Sequence, residues 1–437
     1  MARLLMGPLV RAVVVENPDT CLDGLLESYG IQATRLSDAP NESELIRVLQ
    51  ETRAHVLFKR SRIPVSRAVV EACPDLFAVQ LCCIGDDSVD KVACADHGVL
   101  VFNDPVSNGR SVVELVIAHL IALSRRLYET DAVCRTGVWE KNNIERYEIK
   151  GKTLGVLGLG NIGRQVARAA DALGMKICFY DSRYAAAEVG TEFGWESANS
   201  IDELMRSADF VSVHLSATDA SGDSNEGVIT KERLMMLGAD RPDSSPRIFL
   251  NLSRGFLHVP ADLIGAIDAG VIRRAAVDVY PQEPRGGEVW TNPYADSPRV
   301  VVTPHIGAAT QEAQPRIARR VAWTLGQFSQ LGNVRDMVFA PRSRLGLAEG
   351  NTEGKVLLAV VHSTARGTKR AVDDAIYQAG ASNLSSVHKD FSALGVAYDL
   401  AAIDRPLSEE EVRGLVDEAA RVTGDLDAIR SVRQIVL

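Results

Sequence analysis

The stretch "LGVLGLGNIGRQVA" at 154–167 constrains the fold of this chain more than any other. An apolar, β-rich run ends in glycines spaced G-x-G-x-x-G: Gly158, Gly160 and Gly163. Helical spacing follows over 161–173, and a second β-rich run, "KICFYD", closes at Asp181. A glycine triplet alone is common, but between a strand and a helix it reads as a dinucleotide turn. Gly158 permits the tight turn, Gly160 lets a pyrophosphate approach the backbone, and Gly163 lets helix and strand pack closely. The helix N-terminus then faces the phosphate charge. Asp181, 18 residues after Gly163, can bind ribose hydroxyls and repel a 2′-phosphate, so NAD is expected over NADP. Arg183, two residues on, works against that preference.

The same alternation runs on either side. Strands are expected at 11–17, 54–60, 76–82 and 99–103, with helices near 42–52 and 64–72. Further strands are expected at 210–215, 247–253, 273–280 and 299–305. Such alternation gives parallel sheets with helices on their faces. Residues 111–127 read as one apolar helix capped by Ser111, with Glu114 completing a capping box. The polar segment 238–247 reads as a surface loop. After a Gly-rich linker at 340–355 the pattern changes to strand 356–361, helix 367–379, strands 384–389 and 394–402, helix 408–421 and strand 432–437. That βαββαβ order is ferredoxin-like and predicts a separate small domain. The expected fold class is α/β: two doubly wound, Rossmann-like domains and a C-terminal ferredoxin-like one. A chain of 437 residues is long enough for several domains.

Composition narrows the function classes. With 48 basic and 57 acidic residues the net charge is −9, which suggests no basic face for nucleic acid. No apolar run approaches the roughly 18–20 residues that span a bilayer, so no membrane partner is expected. The N-terminus does not read as a signal peptide. Seven scattered cysteines without a CxxC signal neither a zinc cage nor a disulfide framework. No metal is expected, and a reducing cytoplasm fits. The adjacent Cys82 and Cys83 are expected to act as small apolar side chains.

Three later strand ends carry polar residues that packing does not require: Arg254 after "NLS", Glu283 in "YPQEP", and His305 after "VVVTP". In doubly wound sheets ligands bind beyond the carboxyl ends of strands. An arginine, a carboxylate and a histidine on successive ends suit carboxylate binding and proton transfer.

The segments "VLGLGNIGRQVA", "NLSRG", "AAVDVYPQEP" and "TPHIGAATQEA" resemble the NAD-dependent D-isomer-specific 2-hydroxyacid dehydrogenases, over about residues 10–340. The resemblance implies His305 as general acid–base, Glu283 as the partner that fixes its tautomer and raises its pKa, and Arg254 as the clamp on the substrate carboxylate. It places Asn161, Ile162, His214, Asp278 and Gly307 with the glycines and Asp181 on the cofactor side. "RSR" (60–62), "FNDPVSNGRSVVELVI" (102–117) and "GVWEK" (137–141) are similar to members that act on a phosphorylated acid. By that likeness Arg60, Ser61, Arg62 and Asn108 line the substrate side, and Lys141 reaches across from a second subunit. The implied reaction is oxidation of 3-phospho-D-glycerate to 3-phosphohydroxypyruvate by a homo-dimer or homo-tetramer. The alternatives are another member, such as a hydroxypyruvate or glyoxylate reductase, or a non-enzymatic NAD-sensing protein of the same fold.

The implied domains are a discontinuous substrate domain (1–111 and 311–345), an NAD-binding domain (112–310) and an ACT-type regulatory domain (353–437). One departure stands out in the last. Serine-sensitive relatives carry an H-x-N-x-P-G turn and a second Asn. Here "HSTARG" (362–367) keeps His362 and Gly367 but has Thr364 and Arg366, and Ser382 stands where the second Asn is expected, with Asn383 one place on. Control by serine is therefore not expected.

Overall fold

A computed structural model describes residues 2–36, 39–284, 289–341, 343–348 and 355–437. The chain forms two compact units, 1–107 with 314–437, and 108–313.

The first unit contains a parallel five-stranded sheet in the order Gln32–Arg35, Arg11–Val14, Val56–Lys59, Ala78–Leu81, Leu100–Phe102. Its inner strands Val56–Lys59 and Ala78–Leu81 are buried at every position and Arg11–Val14 at all but Arg11, which is why their sequences read as largely apolar runs. Helices Glu42–Glu51 and Arg67–Ala72 begin at Asn41 and Ser66, whose side chains accept the N–H three residues on. The edge strand Gln32–Arg35 lacks this signature because its residues are exposed or half-buried.

The C-terminal sheet runs Arg3–Met6, Ile429–Val436, Val356–Ser363, Val396–Ile403, Asn383–Phe391. Its last four strands, with helices Thr368–Gln378 and Glu409–Thr423, form the βαββαβ unit. Two expectations need correction. The chain's first strand is Arg3–Met6, not 11–17; it pairs in parallel with Ile429–Val436. Four residues with no partner nearby in sequence give no local signal. Nor does the βαββαβ unit stand alone. Leu357, Val361, Tyr398 and Leu400 share one apolar core with Phe102, Leu325 and Phe328. Helix Ala313–Leu331 supplies part of that core. All eight residues of Val356–Ser363 are buried, since both faces of the strand are covered. Arg433, 2% exposed, stacks over Phe328 at 4.2 Å and donates to Ser329 O at 2.9 Å; burial pushes its pKa down to about 10. Within the expected linker, Arg344–Leu345 pairs with Val334–Arg335; residues 342 and 349–354 lie outside the described residues.

The second unit is a parallel seven-stranded sheet, in the order Val300–Val302, Arg274–Val277, Ile248–Asn251, Phe210–Val213, Thr153–Leu157, Lys176–Tyr180, Glu196–Ser197. The expected helix 111–127 is Gly109–Arg125, begun by Asn108. Ser111 lies inside it and its hydroxyl meets that of Thr310 at 2.9 Å, while Glu114 pairs with Arg110 at 2.6 Å. The capping box is therefore absent, because those side chains have better partners one turn along or across the fold. Arg126, at φ 57°, breaks the helix before a second one, Leu127–Arg135. The polar loop 238–247 is tethered inward: Arg241 and Ser245 donate to the buried Asp209 at 2.8 and 2.6 Å.

Among the described residues no helix is long and apolar enough to cross a membrane. All seven cysteines are free thiols; Cys82 is buried, and burial pushes its thiol pKa up.

Candidate active site

Two glycines of the turn answer to packing and the third does not. A Cβ on Gly163 would lie 2.0 Å from Gly158 O, and one on Gly158, at φ 96°, 2.7 Å from His214 O. Both glycines are therefore required by the protein itself. Gly160 is not: the nearest atom to its missing Cβ is a guanidinium nitrogen of Arg183 at 3.7 Å. Space left by a glycine that packing does not demand, at the start of the twelve-residue helix Asn161–Ala172, fits a pyrophosphate. Asp181 ends the next strand with its side chain 5% exposed. It accepts the Leu159 N–H at 2.7 Å and two guanidinium N–H groups of Arg183 at 2.8 and 2.6 Å. Burial alone would raise its pKa; the bonds from Arg183 and the backbone outweigh that and hold it below the ordinary carboxylate value. His214, at the end of Phe210–Val213, shares a hydrogen bond with Ser212 at 2.9 Å. Burial lowers its pKa to about 4, so the ring is neutral.

His305 sits on a strained turn. Its φ is 54°, and its N–H donates to Thr303 O at 3.1 Å. Non-glycine residues in this region cluster at functional sites, where surrounding contacts impose them. Here the contacts come from Asp278, 1% exposed. Its carboxylate accepts the Thr303 hydroxyl at 2.6 Å and the backbone N–H groups of Ile306 and Gly307 at 2.9 Å each. Asp278 and Gly307 thus build the turn that carries His305.

The imidazole Nδ1 lies 2.7 Å from Glu283 Oε2. A carboxylate only accepts, so Nδ1 carries the hydrogen and Nε2 is left to exchange protons. The partial burial of the ring lowers its pKa. The bond to Glu283, that residue's charge and the charge of Asp278 overcome both this and the opposing Arg254, and the pKa rises above its ordinary value. Tyr280 N–H, 3.3 Å from Glu283 Oε1, steadies the carboxylate.

Arg254 follows Ile248–Asn251. Its neighbour must be glycine, since a Cβ on Gly255 would lie 2.0 Å from the backbone carbon of Tyr280. The Arg254 carbonyl is held by Asn251 Nδ2 at 2.9 Å. Asn251 in turn meets His258, and His258 meets the Tyr294 hydroxyl at 2.8 Å. Burial lowers the His258 pKa to about 4, which makes it a neutral structural link. These positioning residues carry no spacing signature, and the sequence reading missed them.

Asn108 also lies in this unit. It is 7% exposed, and its Oδ1 has no hydrogen-bond partner among the described residues. A buried acceptor left open fits a ligand-facing role. Lys141 is exposed, in the segment after helix Leu127–Arg135. Arg60, Ser61 and Arg62 belong to the other unit, where they follow strand Val56–Lys59. Their loop is shaped by Glu16, a buried residue at φ 63° that the sequence reading did not single out. Its carboxylate accepts the backbone N–H groups of Arg60, Arg62 (2.7 Å) and Ile63 (2.6 Å). Ser61 and Arg62 stay exposed.

Residues 117–307 match the NAD-binding domain of D-isomer-specific 2-hydroxyacid dehydrogenases. D-3-phosphoglycerate dehydrogenase 1 of Saccharomyces cerevisiae is 30% identical over 428 residues, which covers 95% of this chain and 87% of the relative. D-3-phosphoglycerate dehydrogenase of Escherichia coli is 32% identical over 365 residues, covering 83% and 84%. Among solved structures, a Thermus thermophilus protein superposes with a TM-score of 0.61 at 26% identity, over 72% of this chain and 96% of the other. A Pyrococcus horikoshii protein does so with a TM-score of 0.63 at 24% identity, over 76% and 95%; this last likeness speaks for the fold alone. With its nucleotide turn, its paired histidine and glutamate and these relatives, the chain belongs to the D-isomer-specific 2-hydroxyacid dehydrogenases.

Proposed function

We propose that this chain catalyses the NAD-dependent oxidation of 3-phospho-D-glycerate to 3-phosphohydroxypyruvate, the first step of serine biosynthesis. The carrying observation is the 2.7 Å His305–Glu283 pair on the turn held by Asp278, in a chain whose phosphoglycerate dehydrogenase relatives align over nearly its whole length.

In this reading Arg254 grips the substrate carboxylate through its planar fork. Neutral His305 removes the C2 hydroxyl proton through Nε2, and Glu283 stabilises the imidazolium that forms. Bound NAD supplies the acceptor for the hydride that leaves C2. In reverse, the imidazolium returns the proton to the keto oxygen. Gly158, Gly160, Asn161, Ile162 and Gly163 hold the pyrophosphate, Asp181 the ribose, and His214, Asp278 and Gly307 border the nicotinamide end. Arg60, Ser61, Arg62 and Lys141 are assigned to the phosphate, and Asn108 to the substrate.

A homo-oligomer is part of the proposal. Helix Leu127–Arg135 has no buried residue, yet Arg274 ties it to the sheet through Glu129 at 2.6 Å. Around it Leu127, Tyr128, Val138, Trp139 (85% exposed) and Ile144 leave a broad apolar face uncovered. A second copy of the chain suits that face. The free thiols fit a reducing cytoplasm, and the βαββαβ unit is assigned an ACT-type regulatory role.

Initial rates of NADH oxidation against a panel of 2-keto acids test the reading. The highest kcat/KM is expected with 3-phosphohydroxypyruvate. A preference for hydroxypyruvate or glyoxylate assigns the chain to another branch of the family, and no turnover with any acid leaves the NAD-sensing role.

A further inference from the structure

Three side chains on neighbouring strands of the C-terminal sheet converge on one point. His362 lies on Val356–Ser363, Asp399 on Val396–Ile403 and His388 on Asn383–Phe391. His362 Nε2 is 3.1 Å from Asp399 Oδ2, and His388 Nδ1 is 2.9 Å from Asp399 Oδ1. All three donor atoms fall within 4.8 Å of one another. His362 and Asp399 are nearly inaccessible, at 2% and 3%, and His388 is 34% exposed.

The outer nitrogens fix the tautomers. His362 Nδ1 lies 2.8 Å from Ser363 O, and a carbonyl only accepts, so Nδ1 carries the hydrogen. His388 Nε2 lies 3.0 Å from the Asp390 carboxylate and donates there. Each neutral ring therefore turns a lone pair towards Asp399. A lone pair does not face a carboxylate without a cation between them. A divalent ion between the rings and the carboxylate satisfies both lone pairs at once. The two rings stack with centroids 5.5 Å apart, and the Lys369 ammonium lies 3.6 Å from the same carboxylate. Lys369 can withdraw, since it is one-third exposed and already held by Asp373 at 2.6 Å.

We propose that His362 Nε2, His388 Nδ1 and one Asp399 oxygen bind a divalent transition-metal ion of the zinc type. Metal–ligand bonds of about 2.0–2.2 Å put tetrahedral donors roughly 3.3 Å apart; the two His–Asp contacts run to different oxygens of the carboxylate, and with the three donor atoms within 4.8 Å of one another an approach of the rings towards one oxygen completes the site. Imidazole donors favour zinc-like ions over magnesium or calcium. A ligating histidine whose other nitrogen donates to a carboxylate or a backbone carbonyl is the usual outer shell of such a site; Asp390 and Ser363 O supply it here. Three protein donors leave a fourth position for water. The sequence gives no metal signal because the ligands are spread over 37 residues and meet only through strand pairing. The proposal does not depend on the catalytic reading.

The test uses the full chain stripped with a chelator and loaded with Zn²⁺ or Co²⁺. Equilibrium dialysis with elemental analysis is expected to give one ion per chain, and Co²⁺ to give visible d–d absorption. His305→Ala should bind as wild type, which separates this site from the His305–Glu283 pair. His388→Ala should lose the ion and the absorption. Should that variant not fold, Asp390→Asn at an exposed position is expected to weaken binding by about 10–100-fold, the usual worth of an outer-shell partner. No stoichiometric ion in wild type, or undiminished binding in His388→Ala or a folded Asp390→Asn, overturns the proposal.

Discussion

At the scale of single residues, the proposed chemistry rests on one imidazole, His305, whose Nδ1 is held by Glu283 and whose Nε2 is assigned the proton transfer. His305→Ala is expected to lower kcat by about 10²–10⁴, the usual contribution of a positioned acid–base, with NADH affinity nearly unchanged in a fluorescence titration. The raised pKa of His305 sets the pH dependence. In the reductive direction of the proposed reaction the imidazolium donates the proton, so the rate is expected to fall as pH rises through that pKa. Glu283→Gln removes the charge that raises it. The falling limb of the kcat profile should therefore move to lower pH, and an unmoved limb would show that the pair does not tune the acid. Asp181 is a second such residue. Its carboxylate neutralises Arg183 through two bonds. Asp181→Ala both removes repulsion of a 2′-phosphate and releases a guanidinium to bind one. A charge-assisted bond contributes roughly 1.5–3 kcal/mol, so the NADPH:NADH ratio of kcat/KM should rise by about 10–100-fold. An unchanged ratio would place cofactor choice elsewhere.

At the scale of elements, buried carboxylates shape the two loops to which function is assigned. Asp278 gathers two backbone N–H groups of the His305 turn, and Glu16 gathers three of the 60–63 loop. Glu16 also faces Lys59, which is fully buried and bonded to Ser88 at 2.6 Å; burial lowers the Lys59 pKa and the charge of Glu16 partly restores it. Glu16→Gln would turn an amide N–H group against a backbone N–H and leave the ammonium without its counter-charge. The expected cost is about 2–4 kcal/mol of stability in denaturant unfolding. Because the 60–62 loop is assigned to the phosphate, KM for the phosphorylated substrate should rise while kcat holds. A fall in kcat with KM unchanged would contradict that assignment.

At the scale of the whole molecule, the βαββαβ unit shares its core with the five-stranded sheet's surroundings and takes the chain's first strand into its own sheet. Removing residues 1–7 should therefore destabilise the C-terminal sheet, far away in sequence. Thr364 and Arg366 are exposed in the turn after His362, and Ser382 uses its backbone N–H on Asp404 at 2.8 Å. A hydroxyl is shorter than an amide and has one donor instead of two, so Thr364 and Ser382 offer a bound amino acid fewer polar partners than two asparagines would. Millimolar L-serine is expected to inhibit barely. Micromolar binding in calorimetry with the full chain would refute this.

Elements whose signals are local could be read from the amino-acid order alone. The glycine turn, its strand and helix, the continuous apolar strands and the βαββαβ order all follow from patterns within short stretches of the chain. Arg254, Glu283 and His305 were legible as polar residues at strand ends. Features that depend on distant partners emerge only in the folded chain. Arg3–Met6 is a strand because Ile429–Val436 lies beside it, and Ser111 is no cap because Thr310 is within reach. Glu16, the Asn251–His258–Tyr294 chain and the His362–His388–Asp399 cluster belong to the same class. A hydrogen bond or an ion site needs two or more groups within about 3 Å, and no spacing along the chain encodes such a meeting until the sheets have formed.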